Sequence, residues 1–260
     1  MAPELLRFPL LAETGLVAHA FTTRRGGVST GPAASLNMGF VAHDSPENVR
    51  ANRRLVCEAL GLDPVNIVAG RQVHGHNAAV VNPEDRGRGA LTPEEAFPDT
   101  DILLTRESGI VLTSYYADCV PLIFLDPVVK AVALAHAGWR GTVQGVGAKC
   151  VRAMGEAFGS RPGDLLAVIG PSAGSCCYEV DEPVQTEFAR VFPRWGGLFV
   201  PRGPGRWLLD LKEANRLLLA DCGVRQIEVS GYCTVCRPDL FYSYRASRET
   251  GRMASLIGLV

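Results

Sequence analysis

Residues 101–136 read Asp101-Ile-Leu-Leu-Thr105, then Arg-Glu-Ser-Gly, then Ile110-Val-Leu-Thr-Ser-Tyr115, then Tyr-Ala-Asp118-Cys119-Val-Pro, then Leu122-Ile-Phe-Leu125, and after a short turn Val129-Lys-Ala-Val-Ala-Leu-Ala135 running into His136. Four β-branched or apolar runs, Asp101–Thr105, Ile110–Tyr115, Leu122–Leu125 and Val129–Ala135, follow one another with little between them. They are apolar continuously rather than alternately. That pattern predicts strands covered on both faces, hence a layered molecule.

Working outward, Ile67–Val68 and Ala78–Val81 are further strand candidates, and residues 82–100 read as a long Pro-, Gly- and charge-rich excursion. A helix is predicted over Pro46–Leu60, with Ser45 as N-cap, proline at the first helical position, Glu47 in the first turn and Gly61 as the stop. Downstream, helices fit about Thr142–Phe158, Glu182–Val191 and Leu211–Cys222. Strands fit Leu165–Ile169, Ile227–Val229 and Met253–Leu259. Strands and helices mix without a regular alternation. The expectation is a layered α/β or α+β domain with mixed sheets, a single domain over residues 1–260.

The chain has 260 residues, 47% hydrophobic and 20% charged, with 26 basic and 27 acidic residues and a formal net charge of -1. That balance argues against nucleic acid or an anionic membrane as partner. No stretch approaches the length of a membrane span, and the first residues lack the pattern of a secretory leader, so a cytoplasmic location is the default expectation. Eight cysteines in a chain of this size read as reduced thiols rather than a disulfide framework. Cys57, Cys150 and Cys222 fall on apolar helical faces, as core thiols do. Cys233-Thr-Val-Cys236 is a lone Cys-x-x-Cys without a second pair, which predicts neither a zinc ribbon nor a thioredoxin-like site.

Three residues carry most of the chemical signal: His74 in Arg71-Gln-Val-His-Gly75, Cys119 in Ala117-Asp-Cys-Val-Pro121, and His136 in Ala135-His-Ala-Gly-Trp-Arg-Gly-Thr142. Each sits at the edge of a strand-like run beside small or turn-forming residues. Two imidazoles and a thiolate make a metal set with an open position. The same atoms also make a thiol nucleophile with its base. In an extended strand His74 and His76 would share a face. The residues after His136 open a helix, whose N–H groups together with Arg140 would hold an anion such as phosphate. Asn37, Gln72 and Asp118 are further candidates for substrate or phosphate binding.

At these residues the chain resembles the YfiH family, whose members were long labelled laccase-domain or multicopper polyphenol oxidase proteins and are also described as purine nucleoside phosphorylases. Besides the three segments above, the matching pieces are Phe21-Thr-Thr-Arg-Arg-Gly-Gly-Val-Ser29, Ser35-Leu-Asn-Met-Gly39, Glu47-Asn-Val-x-x-Asn52-Arg53, Asp99-x-Asp101, Ile169-Gly-Pro-Ser-Ala-Gly-x-Cys-Cys-Tyr-Glu-Val180, Phe241-Tyr-Ser-Tyr-Arg245 and Thr250-Gly-Arg-Met-Ala254. Met38 stands where the family usually has leucine. The resemblance implies a single α-β-β-α sandwich similar to the catalytic domain of cytotoxic necrotising factor toxins. It implies that His74, Cys119 and His136 are both zinc ligands and catalytic centre. It implies phosphorolysis of adenosine, inosine, guanosine and methylthioadenosine, with adenosine deamination as a second activity, in a monomer or weak homo-oligomer.

Three other readings compete. A copper polyphenol oxidase would need many imidazoles, and the chain has five histidines. A metal-free hydrolase or amidase acting on peptidoglycan precursors would use Cys119 with His136 as base. A non-catalytic binding module would need none of these side chains.

Overall fold

The computed structural model describes residues 2–193 and 196–260. Two mixed sheets pack face to face. One has six strands, in the spatial order Gln226–Val229, Leu166–Ile169, Val120–Asp126, Ala131–Ala137, Ile102–Thr105 and Ala78–Val80. The other has five, in the order Leu5–Leu6, Val17–Thr22, Met253–Leu259, Val111–Tyr116 and Ile67–Ala69. A small antiparallel sheet of Glu179–Asp181, Arg206–Leu209 and Phe199–Gly203 pairs with neither, but its Val180 and Leu209 join the core on the helical side of the six-stranded sheet.

The alternation of side chains along each strand sorts the core into layers. Ile123, Leu125, Val132 and Leu134 of the six-stranded sheet meet Phe21, Leu112, Met253 and Ile257 of the five-stranded sheet. The opposite face of the six-stranded sheet, with Leu122, Phe124, Ala133 and Ala135, is covered by Val146, Cys150, Met154 and Leu219 from helices Val146–Phe158 and Leu211–Asp221. The outer face of the five-stranded sheet, with Ala20, Ile67 and Leu256, is covered by Val56, Cys57 and Leu60 of helix Pro46–Leu60. The order is helices, sheet, sheet, helix. Both faces of the central strands are dry, which is why their sequence is apolar without alternation.

The expected helix over Pro46–Leu60 has those bounds: the Ser45 side chain accepts the Asn48 N–H, and Gly61 stops the helix with φ +69°. Its buried face carries Val49, Asn52, Arg53, Val56, Cys57 and Leu60 at helical spacing. Helices Glu182–Val191 and Leu211–Asp221 and strand Met253–Leu259 lie within a residue of expectation. Cys57 and Cys150 are buried core thiols on opposite sides of the molecule's two sheets, and Cys222 packs half-buried against the core that holds Cys150.

Two expectations need correction, and two elements went unread. The helix expected over Thr142–Phe158 is two helices, Trp139–Val143 and Val146–Phe158, broken where Gly145 takes φ +73°. Strand Ala131–Ala137 runs past His136, so that residue lies within the sheet rather than after it. Strand Val17–Thr22, an interior strand of the five-stranded sheet, and the hairpin Phe199–Leu209 were not expected from the sequence. The first contains a histidine and two alanines and lacks a β-branched run.

Candidate metal centre and its cavity

The centre forms where the chain crosses from one sheet to the other. Strand Val111–Tyr116 belongs to the five-stranded sheet and strand Val120–Asp126 to the six-stranded sheet. The residues between them turn sharply, with Asp118 at φ +89°, and present Cys119 at the seam. His136 pairs with Pro121 across the neighbouring strands and points, like Val132 and Leu134, into the space between the sheets. His74 follows strand Ile67–Ala69 on a bend, with φ +62°.

The ligand atoms of His74, Cys119 and His136 all lie within 4.8 Å of one another. The two imidazole rings meet edge to face, centroids 4.9 Å apart. Gly138 packs beside them, and a Cβ there would come 2.8 Å from His74 Cδ2 and 3.2 Å from Cys119 Sγ. Only glycine leaves the three side chains where they are.

Asp101, fully buried, organises the set. Its carboxylate accepts the backbone N–H groups of Val73, His74 and Gly75 at 2.8–3.1 Å and Nδ1–H of His136 at 2.8 Å. One residue thus fixes the bend that carries His74 and the tautomer of His136, leaving Nε2 for Cys119 or an ion. Burial would raise the Asp101 carboxyl, but the His136 hydrogen bond, its charge and the backbone donors hold it below the ordinary value. Burial pushes the Cys119 thiol up as well. The charge of His136 and hydrogen bonds from both histidines outweigh it and bring the thiol down to about 6. Burial lowers His136, whereas the Cys119 thiolate and Asp101 raise it, to about 9. The pair is thus polarised as thiolate and imidazolium, and with the Nε2 proton of His136 released the set would offer one thiolate and two imidazoles, a combination suited to a single borderline-soft cation.

These side chains line a cavity of about 600 Å³, within the range of roughly 300–1,000 Å³ common for ligand sites. Its walls also carry Arg53, Arg245, Arg252, Tyr115 and Tyr178. Arg53 is fully buried on the apolar face of helix Pro46–Leu60 and donates to the carbonyls of Met38, Gly89 and Ala90. Arg252 donates to the carbonyls of Thr250 and Gly251. Burial lowers the pKa of both.

The other sequence candidates are distributed differently. Gln72 and Asp118 do line the cavity. The Gln72 amide is occupied in both directions by the Tyr115 backbone. Asp118 accepts from Thr234 Oγ1 at 2.6 Å and from the Arg245 N–H at 2.7 Å. Asn37 is buried outside the lining and braces Gly39, Asp44 and the Arg252 backbone. Arg140 is exposed, with its guanidinium over the ring of Trp139, and is not among the cavity residues. The helix it opens is five residues long, too short a stack of peptide dipoles for the expected anion site. His74 and His76 do not share a strand face: the left-handed bend at His74 turns His76 towards Gln144.

Asp101 and Arg53 entered the sequence reading only within the segments that match the family, and neither was given a part in the site. The signal for Arg53 was a charged residue at a core position of an amphipathic helix. Asp101 looked like the polar start of an apolar strand. The lone Cys233-x-x-Cys236 is also corrected: Cys176 and Cys177 supply a second pair, and the four thiols cluster away from the cavity.

Residues 18–260 match the family model described as multi-copper polyphenol oxidoreductase laccase. A protein of Bacillus subtilis (strain 168) named purine nucleoside phosphorylase YlmD is 42% identical over 247 residues, covering 94% of this chain and 88% of that one. A Deinococcus radiodurans protein named purine nucleoside phosphorylase is 41% identical over 258 residues, covering 98% and 92%. The crystal structure of YlmD from Geobacillus stearothermophilus superposes with a TM-score of 0.94 at 41% identity, covering 100% of this chain and 97% of that one.

Proposed function

The chain belongs to the family described as multi-copper polyphenol oxidoreductase laccase, and from that premise we propose that it is a zinc-dependent purine nucleoside phosphorylase. In this reading it acts as one catalytic domain over residues 1–260, in the cytoplasm, splitting adenosine, inosine, guanosine or methylthioadenosine with phosphate, and it deaminates adenosine as a second activity. The relatives named purine nucleoside phosphorylase support the reaction class. The observation that carries it is the cavity itself, where one three-donor metal set faces desolvated guanidinium groups and aromatic rings.

The donor chemistry favours a single zinc over several coppers. Among the described residues, one cluster of possible ligands contains histidine, and it offers two imidazoles and one thiolate. Multicopper oxidation needs many more imidazoles than that. Asp101 behind His136 is the carboxylate–histidine arrangement that orients a ligand and raises its basicity. Zinc bound there would supply Lewis acidity to an oxygen of substrate or solvent.

The chain's own residues account for the rest. Arg53 and Arg252 present charge to the cavity while donating to carbonyls rather than carboxylates, so an anion such as phosphate would meet little competition. Tyr115 and Tyr178 offer faces for the purine. In phosphorolysis a phosphate oxygen bonds to C1′ as the C1′–N9 bond breaks. The arginines would hold the nucleophile and balance its charge, and burial would keep water from taking its place.

The test is to incubate metal-defined protein with adenosine or inosine, with and without phosphate, and separate the products by chromatography. Phosphate-dependent release of adenine or hypoxanthine with ribose 1-phosphate, abolished in Cys119→Ala, is expected. Inosine formed from adenosine without phosphate would mark the deaminase. Several coppers per chain with phenol oxidation and no base release would overturn the reading. The line Cys119–His136–Asp101 also has the order of a nucleophile, base and orienting carboxylate. An acyl group trapped on Cys119 would favour that hydrolase reading instead.

A further inference from the structure

We infer that Cys176, Cys177, Cys233 and Cys236 form a second metal site, structural in role, for a zinc ion held by four thiolates. The four sulfurs all lie within 4.8 Å of one another, with Cys236 Sγ 3.4 Å from Cys176 Sγ and 3.3 Å from Cys177 Sγ. All four are free thiols. A tetrahedron with metal–sulfur bonds of about 2.3 Å has edges of about 3.8 Å, so small shifts would close the cluster on an ion. Two distant segments must meet to build it, and the backbone is shaped for sulfur. The N–H groups of Gly174, Val235 and Cys236 are directed at Cys233 Sγ, the first at 3.2 Å. Backbone donors of this kind stabilise a thiolate. A Cβ at Gly174 would come 3.2 Å from Cys233 Cβ and 3.3 Å from Cys176 Sγ, so glycine there lets the two segments approach. Four soft donors in a closed set leave no open position for substrate, which is the signature of a structural rather than catalytic site.

The placement explains what such an ion would hold. Thr234, inside the Cys233–Cys236 turn, takes the Ser172 carbonyl with its N–H and gives its hydroxyl to Asp118 at 2.6 Å. Asp118 precedes Cys119, and its carbonyl accepts the Ala173 N–H. Tying residues 176–177 to 233–236 therefore braces the turn that carries Cys119, independently of what reaction the cavity runs.

The test uses the full chain carrying His74→Ala and Cys119→Ala, which dismantles the first centre and leaves the four-cysteine cluster whole. Grown and purified without added metal, it should retain one zinc per chain. Its cobalt form should absorb in the sulfur-to-cobalt charge-transfer region, and stripping the ion with a chelator should lower its unfolding midpoint. Adding Cys233→Ser and Cys236→Ser should remove that zinc. A triad-deficient chain that carries no zinc, or carries iron instead, would overturn the site. So would a thiol titration in denaturant without reductant that finds disulfides between 176–177 and 233–236. Because the variant lacks the first centre, none of these results depends on the phosphorylase reading.

Discussion

At the scale of single residues, Asp101 does more for the centre than any of the side chains it serves. One buried carboxylate satisfies three backbone donors on the His74 bend and the Nδ1–H of His136. Asp101→Asn keeps the shape but puts an amide N–H where a donor already points. Removing such a partner behind a ligand typically weakens metal affinity by about 10–100-fold, and an unmatched buried donor costs about 1–3 kcal/mol. Competition against a chromophoric chelator would read the first effect and denaturant unfolding the second. An unchanged affinity would leave Asp101 with a purely architectural part.

At the scale of elements, the break after Trp139–Val143 sets the direction of the chain leaving the centre. Gly145 has φ +73° and ψ +38°, and an added Cβ would meet nothing closer than Ala148 Cβ at 3.9 Å. Space is therefore available, and the restriction is conformational. Gly145→Ala should cost about 1–2 kcal/mol through left-handed strain alone, a drop of a few degrees in Tm for a domain of this size. Metal content should not change, because Gly145 touches none of the ligands. A Tm equal to that of the unaltered protein would show that the helix can run on through the break.

At the scale of the whole molecule, stability against acid should depend on His19. The ring is buried in strand Val17–Thr22 and its Nε2 accepts the N–H of Phe8, the residue that caps the short helix Pro9–Ala12, tying that helix to the sheet. Burial, with Arg7 nearby, lowers its pKa to about 4. The folded value lies below the ordinary 6.5, so the unfolded chain takes up the proton first. Stability is then fully present above pH 6.5 and is lost as pH falls towards 4. At pH 5 this single group should remove about 2 kcal/mol. Unfolding curves at pH 7 and pH 5 for the unaltered chain and His19→Gln should differ by that amount. Equal losses in both would assign acid sensitivity to the carboxylates.

The sequence by itself determined the layering and singled out three reactive side chains, His74, Cys119 and His136, that the fold brings together. Continuous apolarity over residues 101–136 required strands buried on both faces, and the capping signals around Pro46–Leu60 bounded a helix to the residue. These are local patterns, and local physics wrote them. His74, Cys119 and His136 stood out because reactive side chains beside turn residues have few structural reasons to be there. Only the tertiary structure decided which residues support them. Asp101 lies opposite His136 at the end of the neighbouring strand, Arg53 comes from a helix on the far sheet, and Arg140 swings out over Trp139. The pairing of Cys176–Cys177 with Cys233–Cys236 joins segments that no periodicity connects. Side-chain direction at a sheet crossing and the meeting of distant segments are set by packing, which a linear pattern does not encode.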